Sequence, residues 1–568
     1  MHNKTAGFTL LLSFAVSTMA TFPGEARAAA SAAEQATIVV HGRVWTGDAR
    51  RPWADAVAVE GEQIIAVGSR EDVARLTTSE THVIDAGDGL VVPGLIDSHI
   101  HLIDGGERLA SVQLREAKSR EEFVRRIAEF AHKKRPGEWI TGGDWDHSLW
   151  GRPAGAGARL PSRDWIDAVT PENPVWINRL DGHMSLANTA AMRLAKVSDD
   201  VADVPGGEIV RDDAGRPTGI FKDNAIGLVE RAVPSATLDE RIDATVAAMD
   251  YLAERGVTAV HHMGSWSHVD VFRAAQRRGL LKTRIYACTP LEQWQRLANE
   301  VRDRGRGDEW LKIGGLKGFV DGSLGSHTAA FLEPFSDAPS DRGLLVNTAE
   351  DLEDWTSAAD RAGLHVAVHA IGDRAIRLQL DVFERVAAAN GPRDRRFRIE
   401  HAQHIAPQDI PRFAKLGVIA SMQPYHAIDD GRWADRVIGR ERSETTYAFR
   451  SLLDSGARLA FGSDWFVAPP TPMEGIYAAV TRRTLDGQHP DGWVPRQKIS
   501  VEEALRAYTI DAAYAAFSES SLGTLEPGKL ADLVILDRNP FEIPPEELNS
   551  VRINTTIVGG KVVYELAH

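Results

Sequence analysis

The sequence predicts an α/β protein: a (β/α)₈ TIM-like barrel, a small β-sandwich domain built from both termini, and an inserted subdomain after barrel strand 1. Three observations support this. The middle of the chain alternates short apolar strands with helical patterns, which is typical of a parallel sheet. Both ends are rich in short strands, and about 150 residues separate the first two barrel strands. We expect the domains to be 29–93 and 516–568 (sandwich) and 94–515 (barrel).

Eight apolar segments in the middle of the chain have the length and the β-branched content of buried strands. Eight is the number of strands that closes a (β/α)₈ barrel. The segments are GLIDSH (94–99), VTAVHH (257–262), RIYACT (284–289), IGGLKGFV (313–320), HVAVHA (365–370), RFRIEHA (396–402), GVIASM (417–422) and RLAFGSD (458–464).

The two β-rich ends share a texture of short strands broken by Gly and Asp turns. The N-terminal end contains ATIVVHGRVWTG, ADAVAVEGEQIIAVGS and THVIDAGDGLVVPG, and the C-terminal end contains GTLEPGKLADLVILDRNPF and NTTIVGGKVVYEL. Because a different pattern separates them, we expect the two ends to assemble into one sandwich.

The long gap after the first barrel strand predicts an inserted subdomain at about 104–233. Within it, GGEIVRDDAGRPTGIF is typical of a hairpin that turns around Asp213–Gly215. Loops of this length are usually functional, and this one leaves the C-terminal face of the barrel, where such enzymes carry their active sites.

Composition narrows the class of partner. The formal net charge of −15 disfavours nucleic acid, because phosphate binding requires a basic face. Cys288 is the single cysteine, so neither an intramolecular disulfide nor a multi-cysteine metal site can form. We expect a small-molecule substrate, and base rates favour a homodimer.

The N-terminus predicts export. Lys4 precedes an apolar stretch at 7–20, and Ala26 and Ala28 form a small-residue cleavage pattern, so residues 1–28 are interpreted as a signal peptide. No second apolar run of 18 residues follows, so we expect no membrane span in the mature chain. A bacterial periplasm is the expected location.

Polar residues that can bind metal stand at or near the ends of five predicted strands. They are His99 with His101, Lys317, His369, His401 and Asp464. In a barrel such positions converge on one face, and imidazole with carboxylate is a usual zinc ligand set. The pair in DSHIHL is two residues apart, so both side chains would lie on the same side of a strand.

These motifs resemble the amidohydrolase superfamily, specifically its YtcJ-like, N-substituted formamide deformylase-like branch (amidohydrolase family 3). The resemblance covers about 36–566. The segments that carry it are GLIDSHIHL, GGDWDHSLW, LDGHMSLANTAAM, LKGFVDGSLGSHTA, HAIGDRAI, RIEHAQHI, SMQPYHA, FGSDW and GTLEPGKLADLVILD.

The resemblance implies one or two divalent metal ions, with zinc as the default. His99 and His101 would bind one ion and His369 and His401 the other. Lys317 would be N6-carboxylated and bridge the two, with an ordinary lysine that pairs with Asp321, or a single-metal site, as the alternatives.

The catalytic role falls to Asp464, which would also bind metal, as general base and then as proton donor to the leaving amine. His183 is the candidate donor to the oxyanion. The alternative for His183 is a structural histidine that caps a helix beside Asn188.

The remaining candidates are supporting residues. Trp145, Asp146, Gln423 and His426 are the candidate substrate contacts, and packing within the insert is the alternative for the first two. Asp321 and Asp373 are the candidates for holding the metal ligands in position, with a helix cap as the alternative for Asp373. His327 stands where the family more often has Arg, which removes any inherited role in binding a substrate carboxylate.

Together these features predict a metal-dependent hydrolase of C–N bonds in an amide, N-formyl or cyclic amide substrate. A hydrolase of carbamates, esters or lactones, or a deaminase, would use the same fold. An exported protein that binds a small molecule or a metal without turnover is the alternative from another class, and the presence of Asp464 with every expected ligand argues against it.

Overall fold

A computed structural model describes residues 35–150, 160–205 and 207–567. The predicted signal peptide, residues 1–28, lies outside the described residues. Across the part of the chain that is described, every helix is too short or too polar to cross a lipid bilayer.

The described residues form three sheets. The strands, in chain order, are β1 (Ile38–Trp45), β2 (Trp53–Glu60), β3 (Gln63–Gly68), β4 (His82–Pro93), β5 (Leu95–Ile100), β6 (Val112–Gln113), β7 (Ile140–Trp145), β8 (Val175–Arg179), β9 (Met184–Ala187), β10 (Gly207–Arg211), β11 (Pro217–Asp223), β12 (Val257–Met263), β13 (Arg284–Pro290), β14 (Leu311–Phe319), β15 (His365–Ala370), β16 (Arg398–His401), β17 (Ile419–Met422), β18 (Leu459–Phe461), β19 (Leu533–Leu536), β20 (Ile553–Val558) and β21 (Lys561–Glu565).

Helices connect these strands and cover the barrel. They are α1 (Arg70–Ala74), α2 (Leu102–Leu109), α3 (Arg120–Ala131), α4 (Thr189–Leu194), α5 (Gly227–Glu230), α6 (Leu238–Ala253), α7 (Trp266–Arg277), α8 (Trp294–Arg304), α9 (Ala349–Arg361), α10 (Asp373–Asn390), α11 (Ile410–Leu416), α12 (Pro424–Asp430), α13 (Ala434–Ile438), α14 (Arg440–Ser443), α15 (Phe449–Asp454), α16 (Pro472–Thr481), α17 (Val501–Tyr508) and α18 (Ile510–Ala515).

The barrel consists of eight parallel strands in the order β18-β17-β16-β15-β14-β13-β12-β5. Each of the eight predicted segments overlaps one of them, so the predicted (β/α)₈ barrel is confirmed. Backbone hydrogen bonds near the carboxyl ends of the first and last strands close the circle: Asp464 N donates to His99 O (2.7 Å) and His101 N donates to Trp465 O (2.8 Å). This closure brings His99, His101 and Asp464 together.

Both termini contribute to a seven-stranded mixed sheet of order β21-β20-β19-β4-β1-β2-β3. The sheet curls on itself, because Ile64 N donates to Lys529 O and Ala531 N donates to Glu62 O, each at 2.8 Å. Apolar residues of the two ends, such as Val57 and Leu533, then share one core. This arrangement agrees with the predicted sandwich built from both termini.

The inserted subdomain is a six-stranded sheet of order β10-β11-β9-β8-β7-β6, which lies in sequence between β5 and α6. The predicted hairpin is present as β10 and β11, which pair antiparallel. The sheet buries its own apolar cluster, which includes Phe123, Ile177 and Leu186. The subdomain therefore has its own core, and its loop at 179–183 reaches the end of the barrel where the strand-end histidines lie.

Candidate active site

The carboxyl ends of the barrel strands place the predicted metal ligands side by side. The ring centroids of His99 and His401 are 4.8 Å apart, and those of His401 and His369 are 4.6 Å apart. Lys317 Nζ lies 3.2 Å from His99 Nε2. We call the strand-end residues His99, His101, His369 and His401 the floor of the site.

Glu400 fixes the orientation and tautomer of His99. Its Oε2 atom lies 2.5 Å from His99 Nδ1, and both side chains are fully buried. A carboxylate only accepts, so Nδ1 carries the proton and Nε2 offers its lone pair to the site. Burial, reinforced by the neighbouring Lys317 and opposed by Glu400, lowers the pKa of His99 to about 4. His99 is thus a neutral imidazole, the form that binds metal.

Gln423 does the same for His401. Its Oε1 accepts from His401 Nδ1 at 2.8 Å, so His401 Nε2 is free. Burial, together with the neighbouring His369, holds the pKa of His401 well below its usual value. The structure therefore places Gln423, predicted to contact substrate, behind a floor histidine, because its side chain is fully buried and its Oε1 holds the His401 ring.

Two overlapping groups of ligand atoms could hold a metal ion. One nitrogen each of His99 and His101 and a carboxylate oxygen of Asp464 lie within 4.8 Å of one another, and the same holds for His401, His426 and Asp464. Among the described residues His426 Nε2 is buried without a hydrogen-bond partner. The sequence placed His426 among the substrate contacts, whereas its position also suits a metal ligand.

Asp464 belongs to both groups. Although burial opposes ionisation, the hydrogen bond from His101 and the neighbouring histidines hold the pKa of the Asp464 carboxyl well below its usual value. An ionised carboxylate among neutral imidazoles forms a nitrogen and oxygen donor set that suits zinc, so the residues fit the metal that the sequence predicts.

Lys317 lies at the centre of the floor and is only 5% exposed. Burial lowers the pKa of its ammonium group, and the carboxylates of Glu400 and Asp464 oppose this effect. The loop that follows is fixed by Asp321, whose carboxylate accepts from the backbone N–H groups of Ala330, Ile371 and Gly372 at 2.8–3.0 Å. Asp321 thus supports the floor, as the sequence suggested.

His183 faces the floor from the inserted subdomain. We call the loop 179–183, together with Asp223, the roof of the site. His183 Nδ1 lies 2.9 Å from Asp223 Oδ1. Burial opposes protonation, but the hydrogen bond that His183 donates to Asp223 and the charge of Asp181 raise the pKa of His183 above its usual value. Asn188 caps α4 with its own side chain, so the alternative role of His183 as a cap does not apply.

Floor and roof enclose a cavity of about 250 Å³. Asp146 lines it, as predicted, beside Arg179 and Arg432 at N–O distances of 3.6 and 3.5 Å. Arg179 also pairs with Asp181 at 2.6 Å. The wall farthest from the barrel strands is therefore rich in charged groups that already have partners.

Two predicted site residues lie elsewhere. Trp145 is fully buried in the core of the inserted subdomain, where it stacks on Trp150, so it packs the insert and does not line the cavity. Asp373 is the first residue of α10 and accepts from Leu332 N at 2.8 Å. Asp373 therefore anchors a loop and does not support a metal ligand. It does not cap α10 either, because the N-cap residue is Gly372. His327, the departure from the family pattern, pairs with Asp337 instead.

Sequence reasoning missed the ion pair beneath the floor. Arg398 Nε lies 2.7 Å from Glu400 Oε1, with both side chains fully buried. Arg398 also donates to Ser98 O (2.6 Å) and contacts His261 Nδ1 (2.9 Å). The sequence did contain a signal for this ion pair. In RFRIEHA, Arg398 and Glu400 alternate with apolar residues, so both lie on the same face of an otherwise apolar strand. Fully buried charges of this kind require partners, which here include a metal-ligand candidate.

Comparison with known proteins agrees with this geometry. Residues 82–564 match the model of an amidohydrolase family. The chain is 42% identical over 540 residues to Protein LONG AFTER FAR-RED 3 of Arabidopsis thaliana, covering 93% of this chain and 91% of that protein. It is 28% identical to an N-substituted formamide deformylase of Arthrobacter pascens, covering 93% and 98%.

Two further similarities complete the comparison. YtcJ of Bacillus subtilis is 30% identical over 521 residues, covering 90% of this chain and 96% of that protein. The crystal structure of an uncharacterized metal-dependent hydrolase from Pyrococcus horikoshii superposes with a TM-score of 0.73 at 29% identity, covering 90% and 99%. The barrel, the strand-end ligands and these matches lead to one conclusion: the chain belongs to the amidohydrolase family and is a hydrolase.

Proposed function

We propose that this protein is a metal-dependent hydrolase of C–N bonds in amide or N-formyl substrates. The observation that carries the proposal is the convergence of His99, His101, His401 and Asp464 on one cavity, with the histidines His99 and His401 fixed so that Nε2 faces the site. The likeness to an N-substituted formamide deformylase supports the choice of bond.

His99, His101 and Asp464 would hold one divalent ion, and His401 with Asp464 and His426 or His369 a second. Zinc is the proposed metal, because the donors are imidazole nitrogens and carboxylate. Such an ion, when bound, lowers the pKa of a bound water toward 7 and polarises the substrate carbonyl. Lys317, whose buried amine is biased toward its neutral form, would react with carbon dioxide to give a carbamate and become an anionic oxygen ligand.

The chain itself would manage the protons. Asp464 accepts a proton from the attacking water and passes it to the nitrogen of the leaving amine. His183, protonated and held by Asp223, donates a hydrogen bond to the developing oxyanion from the roof. Asp464 and His183 line the same cavity, so both can reach one substrate.

The first test is metal content by inductively coupled plasma mass spectrometry, for the wild type and for Lys317→Ala. The matched control is Lys312→Ala. Lys312 lies near the opposite end of the same strand, and its ammonium group donates to Phe517 O. We expect about two metal ions per wild-type chain, a sharp fall in Lys317→Ala and no change in Lys312→Ala. Absence of metal after growth with zinc and bicarbonate would refute the proposal.

The second test is hydrolysis of a panel of N-substituted formamides and acetamides, followed by detection of the released amine. We expect turnover that is lost on chelation and restored by zinc. Turnover that persists after complete metal removal would contradict the metal-dependent mechanism.

A further inference from the structure

A second chamber adjoins the floor on the side away from the roof. Its volume is about 540 Å³. It lies over the carboxyl ends of β12, β13 and β14, whereas the cavity beneath the roof lies over β15 to β18. His101, Lys317 and Phe319 line both spaces, so the metal-ligand candidates are accessible from two sides.

Phe319 forms the partition between the two spaces. Its ring lies 4.9 Å from Lys317 Nζ and 5.4 Å from the ring of His369. Its carbonyl accepts a hydrogen bond from Asn347 at 2.9 Å, which ties the end of β14 to the segment before α9. The ring is 40% exposed although large apolar side chains are usually covered, because it lies between two open spaces.

The two spaces differ in chemistry. The cavity beneath the roof carries paired charges, among them Arg179, Arg432, Asp146 and Asp181. Apolar surface predominates in the second chamber, where Pro290, Phe319 and the half-buried Trp355 contribute it beside the carboxylate of Glu292. A binding site that is lined by apolar and aromatic groups favours an apolar ligand.

We propose that this chamber is a substrate subsite that binds an apolar, preferably aromatic, substituent, while the polar half of the same substrate lies beneath the roof. The scissile C–N bond then lies at the floor, between the two halves. This inference rests on the proposed hydrolysis of C–N bonds and adds a substrate class to it: amides that join one apolar group to one polar group.

The geometry explains why such a substrate would be selected. Each methylene group that leaves water for an apolar chamber strengthens binding about fourfold. An aromatic ring gains further by packing against Trp355 and Phe319. A substrate that is polar at both ends would lose this gain, and one that is apolar at both ends would oppose the charged roof.

The experiment measures kcat/KM for two matched series of amides, in which either the acyl group or the N-substituent is lengthened from methyl to butyl and benzyl while the other half stays polar. We expect kcat/KM to rise at least tenfold along one series. Trp355→Ala should remove most of this rise. Trp355→Phe should restore it.

Trp53→Ala is the matched control, because Trp53 is 38% exposed on the terminal sheet, far in the fold from the barrel face. Metal content and circular dichroism establish that each variant is folded and loaded. If amides are hydrolysed but neither series depends on Trp355, the subsite is refuted and the proposed function stands. If loaded enzyme hydrolyses none of the amides, the proposed function fails and the subsite with it.

Discussion

The floor and the roof of the cavity both present histidines, but their surroundings shift the pKa in opposite directions. On the floor, burial lowers the pKa of His99 to about 4 and that of His401 well below its usual value. On the roof, the hydrogen bond that His183 donates to Asp223 overcomes burial and raises the pKa of His183. The neighbouring charged groups explain the difference, because Lys317 lies beside His99 and His369 beside His401, whereas the carboxylates of Asp223 and Asp181 lie beside His183.

The comparison separates two kinds of chemistry in one cavity. A neutral imidazole offers a lone pair to a metal, and a protonated one donates a proton or a hydrogen bond. Under the proposed function, the barrel would supply the metal ligands and the inserted subdomain the acid. Substitutions in the floor should then lower the affinity for metal. Substitutions in the roof should lower turnover and change its pH dependence.

The largest expected effect comes from Glu400→Gln on the floor. The change removes the negative charge that faces His99 and leaves the buried Arg398 without its counter-charge. We expect stability to fall by about 3 kcal/mol and zinc affinity to fall roughly 10- to 100-fold. Urea unfolding and titration against a competing chelator measure the two effects.

Glu353→Gln is the control, since its ion pair with Arg385 is partly exposed and should be worth under about 1 kcal/mol. Equal losses in the two variants would show that Glu400 has no special role.

Asp223→Asn on the roof should reduce kcat about 10- to 100-fold with unchanged metal content. His183 acts in its protonated form, which is present below its raised pKa and is lost as pH rises through it. Removing the charge of Asp223 lowers that pKa, so the alkaline limb of the kcat profile should move to lower pH. Profiles between pH 5.5 and 9 measure the shift.

Asp212→Asn offers a matched change on the same hairpin. Asp212 pairs with Arg216 in the turn, at the opposite end of the hairpin from Asp223. An alkaline limb that stays in place in Asp223→Asn would exclude His183 as the acid.

A smaller effect is expected from Gln423→Leu, which removes the acceptor of His401 Nδ1 but leaves the charge of the floor unchanged. We expect about a tenfold loss of zinc affinity and little change in the pH profile. Gln423→Glu keeps an acceptor at the same place and should retain the affinity. If Leu and Glu behave alike, the hydrogen bond to His401 does not matter for metal binding.

The barrel and most of its strand-end ligands were predictable, because buried apolar strands that end in His, Lys or Asp leave a clear signal. The exact directions of these side chains were not. Arg398 and Glu400 are two residues apart and face the same way, so the alternation of a strand would turn His401 to the other side. His401, the last residue of β16, has a positive φ of 71°, and Asp464, which follows β18, has a positive φ of 59°. These backbone angles turn both side chains away from the direction that strand alternation would give.

The same limit explains the misplaced candidates. Trp145, Gln423 and Asp373 stand at the end of a strand or at the start of a helix, where one residue decides whether a side chain faces the cavity or the structure around it. Each of them is engaged by a neighbour distant in sequence: the Ile177 carbonyl, His401 or the Leu332 backbone. Sequence spacing carries no information about such neighbours.

The smallest expected effect distinguishes two aspartates that the sequence grouped together. Asp373 accepts the backbone N–H of Leu332 with one carboxylate oxygen, and an asparagine oxygen can accept it equally well. Asp373→Asn should therefore leave zinc affinity and kcat within about twofold of wild type.

Asp321 accepts three backbone N–H groups with its two oxygens, so in Asp321→Asn at least one of them must face an amide NH₂ group. That mismatch should cost about 1–3 kcal/mol and weaken zinc binding through Lys317 and His369. Equal behaviour of the two variants would mean that support of the floor does not pass through the loop that Asp321 holds.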